Sequence, residues 1–157
     1  MKIAVACDHG GLALKNAVMD WLGKNGYEAV DYGTDSSCSC DYPDFALKAA
    51  EAVAAGECAS GVLVCTTGIG ISIAANKVRG VRCALCSEPF SAKMTRLHND
   101  ANMLALGGGI GGVNLGLEIV KTFLETPFSA EEKHARRIAK IAAIEEKYCK
   151  ESDRGGI

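Results

Sequence analysis

Apolar residues along this chain come in short unbroken runs, separated by longer segments in which they recur every three or four positions. KIAVAC (2–7), YEAVDY (27–32), GVLVC (61–65), VRCALC (81–86) and NMLAL (102–106) are runs of strand length, most of them continuously apolar, as strands buried on both faces are. Segment 12–25 places Leu14, Val18, Trp21 and Leu22 on one helical face, with Gly26 as its C-cap. Segment 44–57 predicts a second helix stopped near Gly56, and 71–78 a short third one. A fourth, with Ser87 as N-cap and Pro89 in its first turn, carries Lys93, Arg96 and His98. A fifth covers 113–125. The last, 130–150 beyond Pro127, has an apolar stripe of Ile138, Ile141, Ile144 and Tyr148.

Five strands, each followed by a helix, call for a parallel sheet covered on both sides: an α/β doubly wound, three-layer α/β/α sandwich. The sixth helix has no strand to return to, so its stripe must pack elsewhere, and a second subunit is the expected place. At 157 residues, 48% of them hydrophobic, the chain suits one domain over 1–150, with 151–157 as a flexible tail.

Charge removes several function classes. Seventeen Lys and Arg against nineteen acids leave a net charge of -2, which offers no long-range attraction to nucleic acid or to an anionic membrane. No stretch reaches the 18 or so apolar residues of a spanning helix, and the N-terminal run is too short for a signal sequence. The expectation is a soluble, cytoplasmic protein. The eight cysteines do not read as a disulfide framework, because Cys7, Cys65, Cys83 and Cys86 lie in or at the ends of apolar runs. Cys83 and Cys86 form a C-x-x-C pair, but on a strand they point to opposite faces. Cys38 and Cys40 lack the neighbours a zinc site needs, so no metal and no cofactor are expected.

Ligands of doubly wound sheets sit beyond the carboxyl ends of the strands. The segments there are 8–11, 41–43, 65–70, 87–89 and 107–112. The glycine-rich TTGIGISIAANK lacks the Lys of an ATP-binding P-loop. Gly107, Gly109 and Gly112 match a dinucleotide pattern, but in the last strand-helix unit and without a later acidic strand end to hold a ribose. Segment 65–70 offers a thiol, two hydroxyls and successive amides leading into a helix. Cys65 there is either a base, with the amides receiving an oxyanion formed beside a carbonyl, or simply the last core residue of its strand.

CDHGG, DYPDFA, CTTGIGISIAANKV, CSEPFSAKMTRLHNDANMLALG and HARRIAKIAAIE occur in that order over nearly the whole chain. In this the sequence resembles the type B ribose-5-phosphate isomerases and the related galactose-6-phosphate isomerase subunits. The resemblance implies a Rossmann-like fold and a metal-independent aldose-ketose isomerase, a homodimer or tetramer with active sites between subunits and a sugar phosphate as its small-molecule partner. It assigns Cys65 as the base that moves a proton between C1 and C2, and Thr67, with amides from Thr66 through Gly68 and Ile69 to Gly70, as the anion hole. His98 resembles the ring-opening residue, assisted by Asp8 and Thr67. Asn99 and Tyr42 resemble contacts to sugar and enediolate. His9, Lys133, His134 and Arg137 match the phosphate site, with His134 and Arg137 supplied by the neighbouring subunit.

Each residue also has a plainer reading: Asp8 as a cap, His98 as a surface residue, Tyr42 as packing, Arg136 on a solvated face. Two departures bear on the substrate. Gly109 stands where the family usually has an Arg, and Lys133 where an Arg commonly precedes the helix histidine, which keeps charge but loses bidentate geometry. These leave open a hexose phosphate of the galactose 6-phosphate or allose 6-phosphate type, or another sugar. A noncatalytic sugar-phosphate sensor would retain His134 and Arg137 without needing a thiol.

Overall fold

The computed structural model describes residues 1–152, with side chains through 148. β1 (Lys2–Cys7), a 3-10 turn (His9–Gly11), α1 (Leu12–Lys24), β2 (Glu28–Asp31), α2 (Tyr42–Ala54), β3 (Ser60–Cys65), α3 (Ile69–Ala75), β4 (Cys83–Leu85), α4 (Pro89–Asn99), β5 (Met103–Gly107), α5 (Val113–Glu125) and α6 (Glu132–Ser152) follow in order. All four strand pairings are parallel and the sheet runs β2-β1-β3-β5-β4. The connection reverses direction at β1/β3, which opens a crevice between their carboxyl ends.

The unbroken apolar runs are explained by burial on both faces. Val5, Val62, Val64, Leu104 and Leu106 face α1, α4 and α5, packing on Val18, Leu22, Ile119 and Phe123. Their alternating neighbours Ala6, Leu63, Cys65 and Ala105 face α2 and α3, where Ala46, Ala49, Ala50 and Ile71 approach closely. Each fully buried large aliphatic side chain stabilises the fold by about 1.5–3 kcal/mol relative to exposure. Cys83 and Cys86 fall in opposite cores, which explains why this C-x-x-C pair is not a disulfide. Cys7, Cys38, Cys40, Cys58, Cys65, Cys83 and Cys86 are free thiols. Burial pushes Cys83 up to about 12 and Cys86 up to about 11.

Several boundaries differ from the sequence reading: α3 spans Ile69–Ala75 instead of 71–78, and β4 is shortened from 81–86 to Cys83–Leu85. α2 starts at Tyr42, two residues early, with Pro43 in its first turn. α4 is capped by Glu88 instead of Ser87: the Glu88 carboxylate accepts from the amides of Phe90 and Ser91, and the Ser91 hydroxyl and those amides hold it below the usual range. α6 starts at Glu132 because Ala130 takes a left-handed φ of 56°. Of the expected tail, 151–152 end α6 and 153–157 lie outside the described residues.

α6 crosses the amino end of the sheet. Its His134 stacks on His98 of α4, and its Glu145 carboxylate accepts from the Gly80 amide just before β4. Ile141, Ile144 and Tyr148 remain 47%, 60% and 61% exposed, lining a groove of about 620 Å³ with Val81, Ala84 and Asn99.

Candidate active site

The carboxyl ends of β1, β3 and β5 bring three loops together. Asp8, 5% exposed, caps the 3-10 turn: its Oδ1 accepts from the amides of Gly10 (2.9 Å) and Gly11 (3.1 Å). That turn lies so close to the next loop that a Cβ on Gly10 would collide with Thr66 Oγ1. The Gly108 amide donates to the Cys65 carbonyl (2.8 Å) and the Gly109 amide to that of Thr66 (2.9 Å), so the glycine-rich loop is fastened to the thiol loop. Those amides are thereby spent, and the dinucleotide pattern at Gly107, Gly109 and Gly112 does not form a cradle.

Cys65 ends β3 on the α2–α3 side, 4% exposed. The Gly68 amide points back at its sulfur, 3.1 Å away. This return needs φ +77° at Gly68, and a Cβ there would sit 2.8 Å from the Leu106 carbonyl carbon. Thr66, Thr67 and Ile69 are exposed; Thr67 Oγ1 accepts from the Ile69 amide at 3.3 Å. The Tyr42 ring lies over Gly70, where a Cβ would meet its Cζ at 2.5 Å. His9 completes this cluster. Its Nδ1 accepts from the Cys40 amide at 3.2 Å, which leaves Nε2 to carry the proton of the neutral ring.

His98, Asn99, Lys133, His134 and Arg137 lie elsewhere. α4 runs back from the carboxyl end of β4 to the amino end of β5, so its last residues sit beside Arg82, whose Nε donates to the Asn99 carbonyl at 3.0 Å. Gly61 pairs with Met103 and Cys65 with Gly107, so the end of the sheet to which α4 returns and the end that carries Cys65 are four strand steps, about 13 Å, apart. A single chain therefore does not unite His98 with Asp8 and Thr67. The cause is topological: a crossover helix between parallel strands must return to the opposite end. His98 and Asn99 belong with His134 and Arg137, not with the thiol loop.

Within this second cluster the rings of His98 and His134 stack at 4.2 Å and 15°. His134 is 4% exposed, and its Nε2 has no hydrogen-bond partner. Burial, then the neighbouring His98 and Lys133, lowers its pKa. Lys133 and Arg137 are exposed on the same first turns of α6, and Lys133 pairs with Glu131 at 2.8 Å. Among the described residues no group of three or more His, Cys, Asp or Glu is placed to hold a metal ion. Two connecting features were not visible in the sequence: the Cys40 amide that orients His9, and Lys15, whose buried ammonium ties down the loop leading to it.

A model of the ribose/galactose isomerase family matches residues 3–141, and the chain belongs to this family of sugar-phosphate isomerases. It is similar to Escherichia coli ribose-5-phosphate isomerase B, 46% identical over 93% of this chain and 97% of that one. It is also similar to the galactose-6-phosphate isomerase subunit LacB of Clostridium acetobutylicum, 37% identical over 90% of this chain and 82% of the relative. The structure of Clostridium thermocellum ribose-5-phosphate isomerase B superposes with a TM-score of 0.92 at 53% identity, covering 94% of this chain and 99% of that one. The protein is therefore an enzyme, an isomerase, and the sensor reading falls away.

Proposed function

We propose that the enzyme interconverts ribose 5-phosphate and ribulose 5-phosphate at sites shared by two copies of the chain. One copy supplies Asp8, His9, Tyr42 and the Cys65 loop; the other supplies His98, Asn99, His134 and Arg137. The observation that carries this reading is the Cys65 sulfur held by the Gly68 amide at the mouth of an exposed loop of hydroxyls and amides. The need for a second copy rests on the two clusters occupying opposite ends of one sheet. The half-exposed Ile141, Ile144 and Tyr148, beside the groove that contains Asn99, support a second copy as its occupant.

In the direction of ketose formation, His98 of the second copy takes the C1 hydroxyl proton and returns a proton to the ring oxygen, giving the open aldehyde. The Cys65 thiolate then removes the C2 proton. The electron pair moves through C1–C2 to the C1 oxygen, and the enediolate is met by Thr67 and the amides of 66–70, which are fixed before the charge develops. Cys65 returns its proton to C1 as the C2 hydroxyl proton moves to the C1 oxygen, leaving the ketose. At the far end of the substrate, His9 Nε2, the orphaned His134 Nε2 and the Arg137 guanidinium are suited to a phosphate dianion.

A hexose phosphate of the galactose 6-phosphate or allose 6-phosphate type is the second reading. It is favoured by Gly109, which presents no side chain where it is fastened to Thr66, and by Lys133, whose charge is shared with Glu131. Proton NMR of the enzyme with ribose 5-phosphate in deuterated buffer separates the two. The expected result is ribulose 5-phosphate with deuterium at C1, and, as the reaction reverses, deuterium entering at C2 of the aldose. No conversion by folded protein, with turnover of a hexose 6-phosphate, would replace the first reading by the second. Cys65→Ala is expected to lower turnover about 10³-fold while sugar-phosphate binding persists; near wild-type turnover would contradict a thiolate base.

A further inference from the structure

The amino end of the sheet holds a charged cluster whose partners are mainly main-chain carbonyls. Asp100 directly follows His98 and Asn99 and closes α4 with a left-handed φ of 44°, a conformation unusual for a residue with a side chain. Arg82, just before β4, brackets it: Nε donates to the carbonyls of Asn99 (3.0 Å) and Asp100 (3.1 Å). Its Nη2 donates to the Asp100 carbonyl (2.8 Å) and to Oδ2 (3.3 Å). Arg96, one turn back on α4, donates from Nη1 to Asp100 Oδ1 (2.9 Å) and to the Ala101 carbonyl. The Nε of the same guanidinium reaches the Thr126 carbonyl (3.3 Å), between α5 and α6.

These bonds satisfy the carbonyls that the end of a helix leaves unpaired. They also do something a simple cap does not. Arg82 fastens the His98–Asn99 end to the first residues of β4. Arg96 fastens the same end to the segment that delivers His134, aided by the Ser129 amide donating to the Leu97 carbonyl at 3.3 Å. One carboxylate between two guanidiniums thus fixes the relative placement of two elements whose histidines stack.

We infer that Asp100, clamped by Arg82 and Arg96, is a positioning residue that holds His98 and Asn99 in register with His134. This rests on the reading of His98 as the ring-opening group. Asp100 itself touches no substrate; it acts through the end of α4.

The test uses the full chain with Asp100→Gly, which accepts the left-handed backbone but removes the carboxylate, and Asp100→Asn, which keeps an acceptor in the same place. The readouts are the nuclear Overhauser effect between the His98 and His134 rings and the kcat and KM for ribose 5-phosphate. Asp100→Gly is expected to stay folded, lose the ring-to-ring effect and fall about tenfold in kcat with KM changing less, the scale of a small misplacement of a reacting group. Asp100→Asn is expected to recover at least half of both. If Asp100→Gly kept the ring-to-ring effect and kcat within twofold of wild type, or lost only thermal stability, the inference would be overturned. Should Asp100→Gly fail to fold, Arg82→Lys carries the same expectation, because an ammonium cannot span both carbonyls and the carboxylate. A wild-type chain inactive on ribose 5-phosphate would overturn the functional reading instead, and the ring-to-ring effect would still decide the clamp.

Discussion

His134 shows how much of a residue's role depends on what surrounds it. Buried against His98 with Lys133 close by, it favours the neutral ring in the folded chain, below its ordinary value of 6.5. The unfolded chain therefore binds more protons than the folded one once the pH drops below that value. Stability from this group is complete above about pH 6.5 and is lost as pH falls toward the lower folded value. Denaturant titrations at pH 7.5, 6.5 and 5.5 are expected to show falling stability across that window, with a smaller fall in His134→Asn. Parallel curves for the two proteins would contradict the burial argument. In the sequence, His134 was one basic residue among Lys133, Arg136 and Arg137 on a helix; nothing in that pattern distinguishes a stacked, buried ring from a solvated one. Cys65 was more legible, because an apolar run that stops at a thiol and is followed by hydroxyls and glycines has few places to be except a strand end.

The strands and their crossover helices were readable because each carries its period plainly. The misplaced boundaries arise where a local hydrogen bond or backbone angle decides. Glu88 captures the first amides of α4 with two carboxylate oxygens that Ser87 lacks, and Ala130 breaks the chain away from helix. The loop after β2 carries no hydrophobic period in the sequence. It is held by Lys15, which occupies a core position on α1 beside Leu14 and Val18. Its three ammonium protons meet Asp31 Oδ2 (2.6 Å), the Thr34 carbonyl (3.0 Å) and Asp35 Oδ1 (3.1 Å). Burial pulls its pKa down, but Asp31 and Asp35 outweigh that and raise it. Lys15→Met fills the same volume and leaves Asp31, one-third exposed, to water. The expected cost is about 2 kcal/mol in a urea titration, less than for a fully buried pair, with amide exchange in 33–41 rising first. An unchanged midpoint would show that the tie contributes nothing net.

At the scale of the molecule, the parallel topology keeps the two groups of candidate residues apart within one chain. Strand ends collect Asp8, His9, Tyr42 and Cys65 at one end of the sheet, and the return of α4 carries His98 to the other. The sequence reading assigned His134 and Arg137 to a neighbouring subunit but left His98 with the thiol. The turn of each crossover helix gives the physical reason to move it, and that turn is implicit in five parallel strands. Substrate identity was least legible, since it depends on small departures such as Gly109 and Lys133. The most direct test of the shared site is complementation between two inactive proteins, Cys65→Ala and His98→Asn, unfolded together and refolded as a mixture. Half of the pairs formed at random are mixed. Each mixed pair has one site with both groups intact, so roughly a quarter of wild-type isomerase activity should return. If the mixture stays as inactive as its components while mixed pairs are shown to form, Cys65 and His98 do not act together across two chains.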